Sequence, residues 1–148
     1  MAKTSNIVIL HYGDNKIDKW AIPIESSTVL AKADLVETDG SGNAQAVDSA
    51  ETPTFLGVSD AYSGSGDTDD LPVVMKCIIK GKMAAGESAT IGKAQKYSAG
   101  ANGTDWTFAS DTAEGIVWAL ETISTAGSGK LMVDVRRLDV GIFEVLTT

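Results

Sequence analysis

Residues 31–79 read AKADLVETDGSGNAQAVDSAETPTFLGVSDAYSGSGDTDDLPVVMKCII, and residues 84–137 read AAGESATIGKAQKYSAGANGTDWTFASDTAEGIVWALETISTAGSGKLMVDVRR. Both run through one order of local signals. A small residue and an acid (Ala33-Asp34; Gly86-Glu87) lead into a short apolar strand. A glycine-rich turn follows (Asp39 to Asn43; Gly100 to Gly103), then a second strand. A glycine next opens an apolar run (Gly57-Val58; Gly115-Ile116). Each stretch closes on a Gly-Ser-Gly turn (Gly64 to Gly66; Gly127 to Gly129) and an alternating strand. A shift of 58 residues superposes the later signals and one nearer 53 the earlier ones. Self-similarity of this kind points to a repeated unit.

The closing strands carry the clearest periodicity. Val73, Met75, Cys77 and Ile79 alternate with Val74, Lys76, Ile78 and Lys80, and Leu131, Val133 and Val135 alternate with Met132, Asp134 and Arg136. Period two places the first set of each on a core face. No window holds an apolar stripe at helical spacing for three turns, and Ser26-Ser27-Thr28 caps one short turn at most. Short strands separated by turns predict an all-β fold, a small barrel or sandwich of short antiparallel strands, with at most one or two short helices. The expected organisation is an N-terminal arm or hairpin over 1–27, a β domain over 28–138 with halves near 28–80 and 84–138, and an apolar tail over 139–148.

Two flanking segments stand out. Asn6, Ile7, Val8, Ile9, Leu10, His11 and Tyr12 form a strand apolar on both faces, which requires cover on both. The tail holds Ile142, Phe143, Val145 and Leu146. Either segment suits strand addition to a neighbour. The turn formers Gly13-Asp14-Asn15 also allow residues 6–24 to fold back as a hairpin.

Composition narrows the partners. The chain has 148 residues, enough for one core, and a net charge of −8 from 12 basic and 20 acidic residues. That balance opposes binding to a phosphate backbone, so no nucleic-acid partner is expected. No apolar run approaches the ~20 residues that span a bilayer, so no membrane partner is expected, and the N-terminus has no signal-peptide pattern. The simplest expectation is a protein made in the cytoplasm.

No catalytic or metal site is expected, and no cofactor. One cysteine (Cys77) and one histidine (His11) leave no structural zinc set within one chain. No serine sits in a G-x-S-x-G elbow. The acidic loop Asp67 to Asp70 lacks the calcium-loop spacing and its trailing glutamate. Lys76 lies mid-strand, unlike the exposed lysine of a biotin or lipoate carrier. Of Trp20, Trp106 and Trp118, Trp106 is the candidate for surface contact, because it follows the turn Asn102-Gly103.

The twice-used order carried by Ala31 to Val36, Phe55-Leu56-Gly57-Val58, Ala85-Gly86-Glu87 and Glu114-Gly115-Ile116-Val117 resembles the small head-decoration, or cement, proteins of tailed bacteriophages. The resemblance covers roughly residues 28–138. It implies a non-enzymatic virion protein, often a homotrimer, that is made in the host cytoplasm, binds the major capsid protein on the outside of an expanded capsid and stabilises it. It also implies that an extended arm adds a strand to the shell, with residues 6–12 as the candidate arm and the tail as its alternative. A phage tail, baseplate or fibre component shares this profile, and so does a carbohydrate- or ligand-binding β module using Trp106.

Overall fold

The computed structural model describes residues 4–12, 19–24, 27–47, 55–98, 107–112, 117–124 and 127–134. Among them are eleven strands and no helix. They are β1 (Val8–Tyr12), β2 (Lys19–Ile22), β3 (Leu35–Thr38), β4 (Ala44–Ala46), β5 (Phe55–Ser59), β6 (Leu71–Val74), β7 (Lys76–Lys82), β8 (Ala94–Ser98), β9 (Thr107–Thr112), β10 (Val117–Ala119) and β11 (Ser128–Asp134). They form a six-stranded sheet, order β1-β7-β11-β10-β8-β9, and a five-stranded sheet, order β2-β6-β5-β3-β4. Every strand pair is antiparallel.

The sheets pack against each other, as the all-β reading requires. Leu35, Val58 and Val74 of the five-stranded sheet meet Cys77, Ile79, Val117, Ala119, Leu131 and Val133 of the six-stranded one. Because side chains alternate across a strand, Val36 and Val73 point the other way. There they join Ile24, Leu30, Ala44 and Leu71 in a second, smaller core.

Removing β1 leaves two sheets of one design, since β2-β6-β5-β3-β4 becomes β7-β11-β10-β8-β9 when each strand number rises by five. The hydrogen bonds repeat with it. Leu30 and Ser63 exchange backbone bonds of 2.9 Å, and Ala89 and Ile123 exchange bonds of 3.0 and 2.9 Å. The Ala33 amide donates to the Ser59 carbonyl at 2.7 Å, as the Gly92 amide does to the Ala119 carbonyl at 2.7 Å. Parallel bridges join Ile24 to Ala44 and Met83 to Phe108. Ala33 (φ 71°) and Gly92 (φ 81°) share the left-handed conformation. The repeat therefore has an offset of 59 residues from Leu30 to Ala89, 64 from Ala44 to Phe108 and 60 from Ser63 to Ile123. This replaces the offsets of 53 and 58 read from residue types. Ala33 corresponds to Gly92 rather than to Gly86, and Ser59 to Ala119.

One strand reading needs correction. The alternation from Val73 to Lys80 is not one strand, because the chain bends at Met75. Val73 and Val74 stay in the five-stranded sheet, whereas Cys77 and Ile79 enter the other. Strands that switch sheets at a bend are a general device for joining two layers. The first repeat thus begins with β2 and ends with β6, and the second runs from β7 to β11.

Candidate contact surface

The predicted N-terminal contact segment is an edge strand. Among the described residues β1 pairs with β7 alone and terminates the six-stranded sheet. Ile7 is buried and Ile9 packs against the main core. Val8 and Leu10, on the alternate face, are 53% and 46% exposed. Asn6 is also exposed. His11 pairs with Ile78 and Tyr12 with Cys77 in backbone register, while their side chains lie outside the described residues. β2 goes to the opposite sheet and pairs with β6, so β1 and β2 do not pair with each other. Trp106 and the tail residues Ile142, Phe143, Val145 and Leu146 also lie outside the described residues.

The outward face of the six-stranded sheet is basic. In β7, Cys77, Ile79 and Gly81 are buried, while Lys80 and Lys82 are exposed and Ile78 is half-buried. Lys130 stands directly opposite Lys80 across β7 and β11, and Val8 flanks Lys80 from β1. Lysines spread over fifty residues of sequence thus gather on one patch. Lys130 reaches Glu121 at 3.9 Å in an exposed pair, which contributes little. The excess negative charge lies elsewhere: twelve acidic and four basic residues occur up to Met75, against eight and eight beyond it.

The residues screened for chemistry have structural settings. Cys77 is a buried free thiol; burial first, and then the charge of Asp60, push it up to about 12. A thiol held neutral in this way is a poor nucleophile. Asp34, fully buried, accepts a hydrogen bond from the Ala31 amide at 2.8 Å and closes the tight turn before β3. In the acidic loop, the Asp67 carboxylate accepts the Gly64 amide at 2.7 Å, which makes it a turn-closing group. Asp39 accepts the Ser41 and Asn43 amides at 2.7 and 2.9 Å. Led by the Asn43 backbone bond, these contacts hold its carboxyl below the usual range. Among the described residues no group of three or more His, Cys, Asp or Glu is placed to hold a metal ion.

Residue typing set Trp20 aside in favour of Trp106. Opposite Val73 on β2, Trp20 is 56% exposed. The signal was available, as Trp20 lies in a strand-like piece ended by Pro23, but only the order of the sheets reveals what surrounds it. Comparison of the sequence with protein-family models and with curated proteins returns no match.

Proposed function

We propose that this chain is a non-enzymatic virion structural protein that binds the outer surface of an expanded phage capsid and stabilises it, acting as a homotrimer. The observation that carries this reading is β1. Among the described residues it is an edge strand that pairs with β7, anchored by Ile7 and Ile9 and displaying Val8 and Leu10 outward. A strand so anchored offers backbone donors and acceptors for strand addition, with alternate side chains supplying selectivity. Its register on β7 is already fixed, so little ordering entropy opposes docking. The two-repeat β scaffold is in keeping with the resemblance of residues 28–138 to decoration proteins. Three copies on one shell site would add avidity, since the second and third contacts become intramolecular.

The test is co-sedimentation with expanded, undecorated heads of the phage that encodes the chain. Because Ile7 is a core residue, deleting the N-terminus would damage the fold, so the informative variant is Val8→Asp with Leu10→Asp. Saturable binding lost in that variant supports the reading. No binding by the natural chain overturns it and favours the tail-component or ligand-module alternatives.

A further inference from the structure

A single residue joins the two repeats. β6 ends at Val74, which pairs with Lys19 and Val58 in the five-stranded sheet. β7 begins at Lys76, which pairs with Asp134 in the six-stranded one. Met75 between them makes the bend. No turn former surrounds it: residues 73–80 read VVMKCIIK, without glycine, proline, asparagine or aspartate. β-Branched and apolar residues favour continued strand, and tight turns draw on the residue types missing here. The alternation of Val73, Met75, Cys77 and Ile79 is that of one unbroken strand. The bend therefore follows from the docking of the repeats on each other, not from local residue preference.

Parity shows what a straight strand would do. Val74 and Cys77 now enter one core, together with Leu35, Val58 and Ile79. Being three residues apart, they would lie on opposite faces of an unbent strand. The inward face of the first repeat would then look away from that of the second, and each would need cover from another molecule. A second copy supplies that cover with the contacts already in use. Its first repeat brings Leu35, Val58 and Val74 to Ile79, Leu131 and Val133, and its β1 restores the ladder to β7. We infer that copies of this chain exchange halves: the half before Met75 of one copy packs on the half after Met75 of another, and β6 and β7 run together as one strand. Exchange of identical elements is a ready route to an oligomer. Because the native contacts are kept, the balance is set by the hinge conformation against the entropy of association. Reciprocal exchange gives a dimer, and exchange around a closed ring gives a trimer.

This exchange goes beyond the reading above and does not depend on shell binding. Val8 of the first half stands directly opposite Lys80 of the second, and both are exposed. Opposed residues of an antiparallel pair lie about 5 Å apart, within reach of a disulfide. The test places cysteines there, Val8→Cys with Lys80→Cys, in the full chain, where the buried Cys77 stays out of reach. The reduced chain is unfolded in urea, refolded at ~500 μM and at ~5 μM, oxidised, and run on denaturing gels without reductant. An exchanged oligomer carries the disulfide between chains and stays joined. Any unexchanged form carries it within one chain and runs as a monomer. Interchain links are expected at the higher concentration and lost at the lower. They are also expected to be lost when Gly-Asn-Gly is inserted after Met75, because a turn then accommodates the bend. Lys80→Cys alone measures links from random collision. Links no more frequent than that background, or links untouched by the insertion, would overturn the inference. Should the double variant fail to fold, sedimentation velocity of the natural chain after the same two refoldings decides. An oligomer formed only at the higher concentration, and persisting on dilution because parting requires unfolding, is expected; a monomer from both would overturn the exchange.

Discussion

Trp20 and Ile79 stand at one position of a repeated sheet, yet Trp20 is 56% exposed and Ile79 is fully buried. The strand order makes the two equivalent, and the stacking of the first repeat on the second makes them different. Stability should follow burial rather than side-chain size. Ile79→Ala should cost about 3 kcal/mol, through lost transfer energy and the cavity left behind. Trp20→Ala should cost within about 1 kcal/mol despite deleting more atoms, as surface changes do. Urea unfolding of the two variants at low protein concentration measures the contrast.

Gly57 and Gly92 have positive φ for different reasons. At Gly57 (φ 149°) a Cβ would run into the carbonyl oxygen of Val74, so β5 and β6 lie too close for any side chain. At Gly92 (φ 81°) nothing lies within 4 Å of where a Cβ would stand. Gly92→Ala should therefore cost only the left-handed strain of about 1 kcal/mol. Gly57→Ala should cost about 3 kcal/mol or more, since backbone must move. Equal effects in thermal unfolding would contradict this assignment.

Cys77 links stability to alkaline pH. An unfolded thiol ionises near 9, whereas burial pushes the native group up to about 12. Between those values the native state keeps a proton that the unfolded state has lost, so stability falls as pH rises. Below about pH 8 the group contributes no slope. Cys77→Ser should flatten the fall between pH 9 and about 11 in urea titrations, and the native thiol should resist thiol reagents at pH 8 until the chain unfolds.

Much of the fold is legible from period-two alternation and turn formers, and the Asp39 to Asn43 turn lies where those residues indicate. Two features escape. The alternation Val73, Met75, Cys77, Ile79 runs through the bend at Met75 without a break in hydrophobicity, so residue type does not mark the change of sheet. The offset of the repeat escapes because the conserved property is backbone conformation. Ala33 and Gly92 share the left-handed region while differing in type, so matching acids and glycines pairs Ala33 with Gly86 instead. Of the contact residues, Asn6 to Tyr12 read as a strand in need of cover. The sheet order supplies what sequence lacks: inner cover comes from the core, and Val8 and Leu10 stay exposed. The basic patch is invisible in sequence because Lys80 and Lys130 meet only across the β7–β11 ladder.

Asp34 adds a side-chain acceptor to a turn whose backbone bond recurs in the second repeat. Its carboxylate holds the Ala31 amide at 2.8 Å, whereas the second repeat has Lys93 in that place and relies on the Lys93 amide to Thr90 carbonyl bond of 3.0 Å, a bond the first repeat also has between Asp34 and Ala31 at 3.2 Å. Asp34→Ala leaves a buried amide without its acceptor, which should cost about 1–3 kcal/mol. Lys93→Ala should be near neutral. Chemical denaturation of both distinguishes them, and a larger effect at Lys93 would contradict the role assigned to Asp34.

Co-sedimentation with expanded, undecorated heads tests the central claim most directly. The account predicts saturable binding by the natural chain, and loss of that binding in the folded Val8→Asp, Leu10→Asp variant. Absence of binding by the natural chain, or binding untouched by those two substitutions, would contradict it.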